Sequence, residues 1–355
     1  LSGRDPQPDL FGGGPHDDTA APAAAAASDP PGRGRVAKGG VAPQPVDTGL
    51  AALAARLPST VRFGTSTWSF PGWAGIVYGG DYDEAKLARD GLAAYARHPL
   101  LRTVGVDRSF YAPLTAPTLE RMAAAVPGDF RFLLKAHAAL TTPKSARRPA
   151  FLQGAPEAFL DADYATRVVV DPARRLLGEK LGVVLFQFSP LGERVLRHRA
   201  LLLERLGAFL AALPRGVTYA CEWRDAAMLG PDYHATLAAA GAVHGLCAHP
   251  RMPLVDEQGV DPAGDAVVAG PSAGTSAGPL VIRWLLRGDR GYDEARAEYA
   301  PFDKLCDPDP TVRSRIAALL SAGGAPGREA ILIVNNKAEG SAPLSIAALA
   351  EQMVG

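Results

Sequence analysis

The sequence predicts an α/β fold, one (β/α)8 TIM-type barrel, closed or nearly closed, as a single domain over residues 60–355. Eight short apolar runs alternate with longer stretches of helical periodicity, and that alternation calls for a parallel sheet. The stretch also matches the on the order of 250 residues such a barrel needs as one unit. An open doubly wound sheet would want a Gly-rich dinucleotide loop after its first strand. Here the run is Gly64-Thr65-Ser66-Thr67-Trp68, which is not GxGxxG.

The strands are expected at Val61–Thr65, Leu101–Val106, Phe130–Ala136, Gly182–Phe188, Val217–Trp223, Val243–Cys247, Leu280–Leu285 and Ala330–Asn335. Each is a short apolar run, as expected of strands buried on both faces. Helical spacing of apolar residues marks Tyr82–Ala96, Ala116–Ala125, Arg194–Ala212, Tyr233–Ala240, Asp293–Asp303 and Thr311–Ser321 between them. Two connections are long: one near 141–175 after the third strand, and one near 250–279 after the sixth, Gly/Ala/Pro-rich toward its end. Long connections of that kind form rims, lids or loose insertions. Residues 1–59 precede the domain as a Gly/Pro/Ala-rich tail, with a short helix expected at 50–57. A segment so poor in large apolar side chains cannot offset its ordering entropy, so residues 1–49 are expected to be disordered and dispensable.

Composition narrows the function classes. The chain has 355 residues, 47% of them hydrophobic, with 37 basic and 37 acidic side chains. That neutral balance gives no broad footprint for nucleic acid or an anionic membrane, so a nucleic-acid partner is not expected. No run of strongly apolar residues is long enough to span a bilayer. The three cysteines have no CxxC spacing and cannot form a disulfide framework. With no secretory signal pattern at the start, a cytoplasmic location is expected.

Barrel sites are built at the C-terminal ends of the strands, so the polar residues there are the candidates. Trp68 and Trp73 follow the first strand and either line a pocket or close the barrel top. Asp107 ends the second strand, with Gly105 below it on the same face leaving room for a ligand or a long side chain and Arg108 on the other face; an Asp–Arg structural pair is the alternative. Lys135 and His137 share a face on the third strand. A buried lysine is costly unless paired or facing a ligand, and His137 either joins it or satisfies a loop carbonyl. Gln187 is the lone amide in an apolar run. Glu222 and Arg224 point the same way, so Glu222 with Lys135 and Arg224 forms either an ion network or an acid/base centre. Arg283 on strand seven, and Asn335 and Asn336 on strand eight, complete the rim. No metal site is expected, because Asp107, His137, Glu222 and His249 do not have the spacing of a ligand set. Gly340 and Ser341, ahead of the last helix, offer backbone N–H groups for a phosphate. No GxSxG elbow is present; Cys221 alternates away from the interior, and Cys247 reads as a buried thiol.

The run Gly64-Thr65-Ser66-x-Trp68-Ser69-Phe70-x-x-Trp73 resembles the start of the YecE-like family, the domain of unknown function 72 family. The resemblance continues in order through Ser109-Phe110-Tyr111, Phe132-x-x-Lys135, Gln187-Phe188-x-Pro190, Glu222-x-Arg224 and Asn335-Asn336-x-x-x-Gly340-x-Ala342. It implies a closed or nearly closed TIM barrel and brings Tyr111 into the candidate site, but supplies no reaction. Two departures stand out. Gly105-x-Asp107 replaces a common Glu-x-Asn, and Arg283-Trp284-Leu285 replaces a common Arg-x-His-Gly. The function expected is an enzyme acting on a small polar or anionic metabolite. Glu222 would be the acid/base with Lys135 and Asp107; Arg224 and Arg283 would clamp the ligand, and Gln187 and the asparagines would orient it. No cofactor is indicated. A non-catalytic ligand sensor or interaction module, and a nucleic-acid-processing protein, are the alternatives.

Overall fold

The computed structural model describes residues 40–143, 152, 154–259, 278–323 and 328–355. Eight parallel strands close in sequence order, β1 pairing with both β2 and β8. They are β1 Val61–Thr65, β2 Leu101–Val106, β3 Arg131–Lys135, β4 Leu181–Gln187, β5 Tyr219–Glu222, β6 Val243–Ala248, β7 Leu280–Trp284 and β8 Ala330–Val334. The helices in chain order are α1 Thr48–Arg56, α2 Glu84–Asp90, α3 Leu92–Tyr95, α4 Ala116–Ala125, α5 Ala162–Ala165, α6 Asp171–Leu177, α7 Glu193–Leu196, α8 Arg199–Ala212, α9 Pro231–Ala240, α10 Tyr292–Tyr299, α11 Pro310–Gly323 and α12 Ala342–Val354.

Side chains alternate across each strand, and the inward set is branched and apolar: Leu133, Val183, Leu185, Ala220, Val281, Ile331 and Ile333 pack on one another inside the barrel. The outward set packs against the helices in two larger clusters. Two residues further along the same inner face, the apolar filling gives way to Lys135, Gln187, Glu222, Arg283 and Asn335, so the polar layer caps the core at the C-terminal strand ends.

Two expectations change, and a third falls largely outside the described residues. The connection expected at 141–175 is helical in its second half: α5 runs into a π-helical turn, Thr166–Val170, and then α6, which packs on α4 as the β3–β4 crossover. The helix expected at Tyr82–Ala96 is two, divided at Gly91, where an added Cβ would lie 2.6 Å from the Leu87 carbonyl oxygen. In the long connection near 250–279, residues 260–277 lie outside the described residues.

The N-terminal segment also departs from a dispensable tail. Residues 1–39 lie outside the described residues, but residues 40–49 are attached to the barrel. The Ala42 N–H donates to the Tyr82 hydroxyl at 3.0 Å, Gln44 N–H to the Val77 carbonyl at 2.9 Å, and Pro43 bridges Tyr78. Asp47 caps α1, accepting from Leu50 N–H, and Arg56 at its end donates to the Val354 carbonyl of α12. Composition misses this strap because it holds by a few hydrogen bonds and by scattered apolar contacts, Val41, Leu50, Leu53 and Leu57 on the core, in an otherwise Gly/Pro/Ala-rich stretch. Truncation before residue 40 is expected to leave the thermal midpoint unchanged, whereas truncation before residue 58 is expected to lower it by at least about 4 °C. Equal midpoints for the two truncations would remove the strap from the fold.

Candidate active site at the barrel mouth

The polar layer is organised around Arg283. β7 aims this guanidinium across the barrel, where Nη2 donates to both Asp107 carboxylate oxygens at 3.0 and 3.2 Å, and Nη1 donates to Glu222 Oε1 at 3.0 Å. The same Glu222 oxygen takes Arg224 Nη1 at 2.6 Å. A chain Asp107–Arg283–Glu222–Arg224 therefore crosses from β2 to β7 to β5. Asp107, Arg283 and Glu222 are at most 2% exposed, and Arg224 is the most open of the four at 9%. Asp107 thus pairs with Arg283 across the barrel and not with Arg108 beside it.

Gln187 is the register partner of Glu222 on β4, and its amide makes no hydrogen bond among the described residues. Lys135 is fully buried, with Nζ 4.0 Å from the centre of the Phe110 ring, and its own carbonyl accepts from the Ser109 hydroxyl at 2.6 Å. A cavity of about 20 Å³, room for one water, lies on the helix side of β3, among Leu119, Leu134, Val169 and Ala173 with Ser109 and Lys135 at its edge, and not inside the mouth. A groove of about 890 Å³, open to solvent on the outer helices around Arg167, Asp171 and Arg174, touches none of these residues. The buried ionisable groups converge at the layer and not at that groove.

Burial alone would push the Glu222 carboxyl up, but the guanidinium groups of Arg224 and Arg283 and the ammonium of Lys135 outweigh it and hold it below the usual carboxylate range. Glu222 is therefore a permanent anion near neutral pH. Its second oxygen, Oε2, is buried and has no hydrogen-bond partner among the described residues. Within the described part of this layer stand three cations, Lys135, Arg224 and Arg283, against two carboxylates, Asp107 and Glu222.

Other residues singled out in the sequence have different surroundings. Trp68 and Trp73 are packed into the core between barrel and helices, the Trp68 indole N–H donating to the Leu87 carbonyl, so they form no wall of the mouth. Their apolar bodies gain more from burial than a rim position would give. The space above Gly105 is filled: an added Cβ would sit 3.3 Å from Ile333 and from the Ser66 backbone. His137 hydrogen-bonds the Tyr164 hydroxyl through Nδ1 at 2.8 Å, and half-buried Tyr111 meets Phe110 edge-on. Asn335 ties the rim, accepting from Lys337 N–H and donating to the Ser66 hydroxyl; Asn336 accepts from Ala342 N–H and so caps α12. That cap, with Cys306 and Asp307 N–H groups donating to the Glu339 carbonyl, covers Gly340 and Ser341 and leaves no phosphate cradle there. Among the described residues no group of three or more His, Cys, Asp or Glu could hold a metal.

Two members of the site were not read from the sequence. Cys247 is part of it: Arg224 Nη1 lies 3.3 Å from its Sγ, and burial pushes the thiol up to about 12. Its alternation with inward Gly245 was the available signal. Gln258 folds back from the β6 connection and pairs with the Cys247 backbone in both directions, at 2.9 and 2.6 Å. No sequence pattern marks such a substitute for a strand partner.

The family model described as a protein of unknown function, DUF72, matches residues 62–355. The chain belongs to the DUF72 family. Two crystal structures of a DUF72 family protein from Enterococcus faecalis are similar, at 15% and 16% identity with TM-scores of 0.51 and 0.55. Each similarity covers 83% of this chain, and 96% and 95% of the other. A DUF72 family protein from Thermotoga maritima is similar at 18% identity and a TM-score of 0.52, over 83% of this chain and all of the other. At these identities the likeness shows the fold alone. No curated protein matches the sequence. The DUF72 model begins after the strap and α1, so those lie outside the family unit. Among the described residues no helix is long and apolar enough to cross a membrane.

Proposed function

We propose that this DUF72 protein is an enzyme that takes a small anionic metabolite bearing hydroxyl groups at the barrel mouth. The observation that carries the reading is the buried layer itself: among the described residues three cations and two carboxylates converge there, with Glu222 Oε2 buried and still open as an acceptor. A ligand that brings one negative charge and one O–H or N–H would meet the cations and that oxygen. Sealed cations are worth more toward a developing negative charge than in water.

Roles differ from the sequence reading. A general base works best with a pKa near the operating pH. Glu222 is held too low for that and acts instead as the anchor that orients Arg224 and Arg283 and accepts a ligand donor. Asp107 locks Arg283 from the other side. Arg224 and Lys135 meet the anion in this reading, with Lys135 as the proton-transfer group and Gln187 to orient it. Asn335 and Asn336 shape the rim. The three thiols are free and fit a cytoplasmic setting.

A thermal-shift screen of the purified chain against hydroxy acids and phosphorylated metabolites, followed by turnover of each hit measured by NMR, tests this. A hit at 100 times its Kd stabilises by about 2.7 kcal/mol. Lys135→Ala and Arg224→Ala are expected to fold and to weaken every hit at least tenfold, since a charge-assisted hydrogen bond contributes about 1.5–3 kcal/mol. Folded variants that bind every hit like the parent would place the site elsewhere. A ligand-sensing module is the second reading, favoured by the mutual pairing and deep burial of Asp107, Arg283 and Glu222. Binding without any turnover of a hit would decide for it. Nucleic-acid processing is supported by none of these observations.

A further inference from the structure

A second group of cations lies on the rim, outside the mouth. Arg108 follows Asp107 in the turn after β2 and points the opposite way, into a slot between the β1 loop and α4. Its guanidinium carbon stands 5.2 Å from the centre of the Trp68 ring, and Nη2 is 3.7 Å from Met122 Sδ. Nε is buried with no hydrogen-bond partner, and no carboxylate lies within ion-pair distance among the described residues. Arg121, next to Met122 on α4, is exposed and donates to the Thr118 hydroxyl, which in turn meets the Thr115 hydroxyl at 3.0 Å.

Other arginines withdrawn from solvent take an acid, Arg62 with Glu329, Arg199 with Asp232 and Arg315 with Asp256, or a backbone carbonyl, as Arg131 does with those of Gly128 and Phe130. Arg108 has an aromatic face and a sulfur instead, which offer no countercharge. Burial and the charge of Arg121 together push the Arg108 guanidinium down. Two like charges so placed, one of them partly desolvated, are held at a cost that an external anion relieves. The guanidinium forks and the flanking threonine hydroxyls are donors suited to a tetrahedral oxyanion.

We propose that this slot is a second ligand site, which takes a phosphate dianion, free or as the phosphate of a phosphomonoester, between Arg108 and Arg121. Two adjacent positive charges match a dianion better than a monocarboxylate. The site is independent of the mouth, because Arg108 faces away from Asp107 and shares no partner with the Arg283 network.

Calorimetric titration of the full chain with inorganic phosphate at pH 8, where phosphate is a dianion, tests it, with glucose 6-phosphate and acetate as parallel arms. The parent is expected to bind one saturable phosphate equivalent that Arg108→Gln and Arg121→Gln both bind at least about tenfold more weakly. Arg121 is exposed, so its variant keeps the test intact even if Arg108→Gln fails to fold. Any phosphate taken at the mouth persists in both variants and does not mask the missing equivalent. Tighter binding of the phosphomonoester than of phosphate assigns the site to a phosphorylated metabolite; equal or weaker binding assigns it to free phosphate. Loss of no equivalent in either variant, no saturable binding by the parent, or acetate binding as tight as phosphate overturns the proposal.

Discussion

Arg283→Met is expected to cost about 3–5 kcal/mol of stability, the largest effect of any single substitution at the mouth, because it removes the buried guanidinium that bonds both the Asp107 and the Glu222 carboxylates. Urea midpoints measure it. The mechanism makes a second, less intuitive demand. Arg283→Met combined with Asp107→Leu removes one charge of each sign and leaves the Glu222–Arg224 pair in place at 2.6 Å. The double variant is therefore expected to be more stable than Arg283→Met alone, since replacing a whole buried pair by apolar groups is often near neutral. A surface control, Arg89→Ala, removes an exposed contact with Asp90 and is expected to change stability by less than about 1 kcal/mol. A double variant no better than the single would mean that Arg283 acts through packing and not through charge.

Acid is expected to weaken the fold well before the carboxylates titrate. Burial pushes the imidazoles of His98 and His244 down to about 4, helped at His244 by the facing His234 ring 5.6 Å away. Both are neutral when folded. Above pH 6.5 they are neutral when unfolded too, so their contribution is fully present there. As pH falls from 6.5 toward 4 the unfolded chain takes up protons that the folded chain refuses, and stability is lost by about 3 kcal/mol for each histidine. Glu222 acts in a lower window: its stabilisation is present above the ordinary carboxylate value and is lost only as pH falls through its own lowered one. Urea midpoints between pH 7.5 and 4.5 check this. His98→Gln and His244→Gln are each expected to flatten the slope; variants whose profiles run parallel to the parent would assign the acid sensitivity to other groups.

The barrel and the composition of its mouth were legible in the residue pattern. Strands buried on both faces read as short apolar runs, and the bounds of β1 and β2 coincide with the runs Val61–Thr65 and Leu101–Val106. Period-two alternation set Lys135, Glu222 and Arg224 on inner faces, because facing is a local property of the backbone. Partner choice is not local. Asp107 and Arg283 are 176 residues apart and meet only because closure brings β2 and β7 to opposite sides of one narrow channel. The sequence allowed an Asp–Arg pair at Asp107 but not its partner; the arginine is Arg283, while Arg108 on the other face lies against Trp68. Charge balance likewise belongs to the tertiary structure: Glu222 reads as an acid/base in isolation and becomes a fixed anion once three cations surround it. The chain alone determined which side chains point inward and at which end of the barrel they stand. Which of them pair, and which are left to meet a ligand, was decided by closure of the sheet, since ion pairs form across space and depend on the burial that only the assembled barrel supplies.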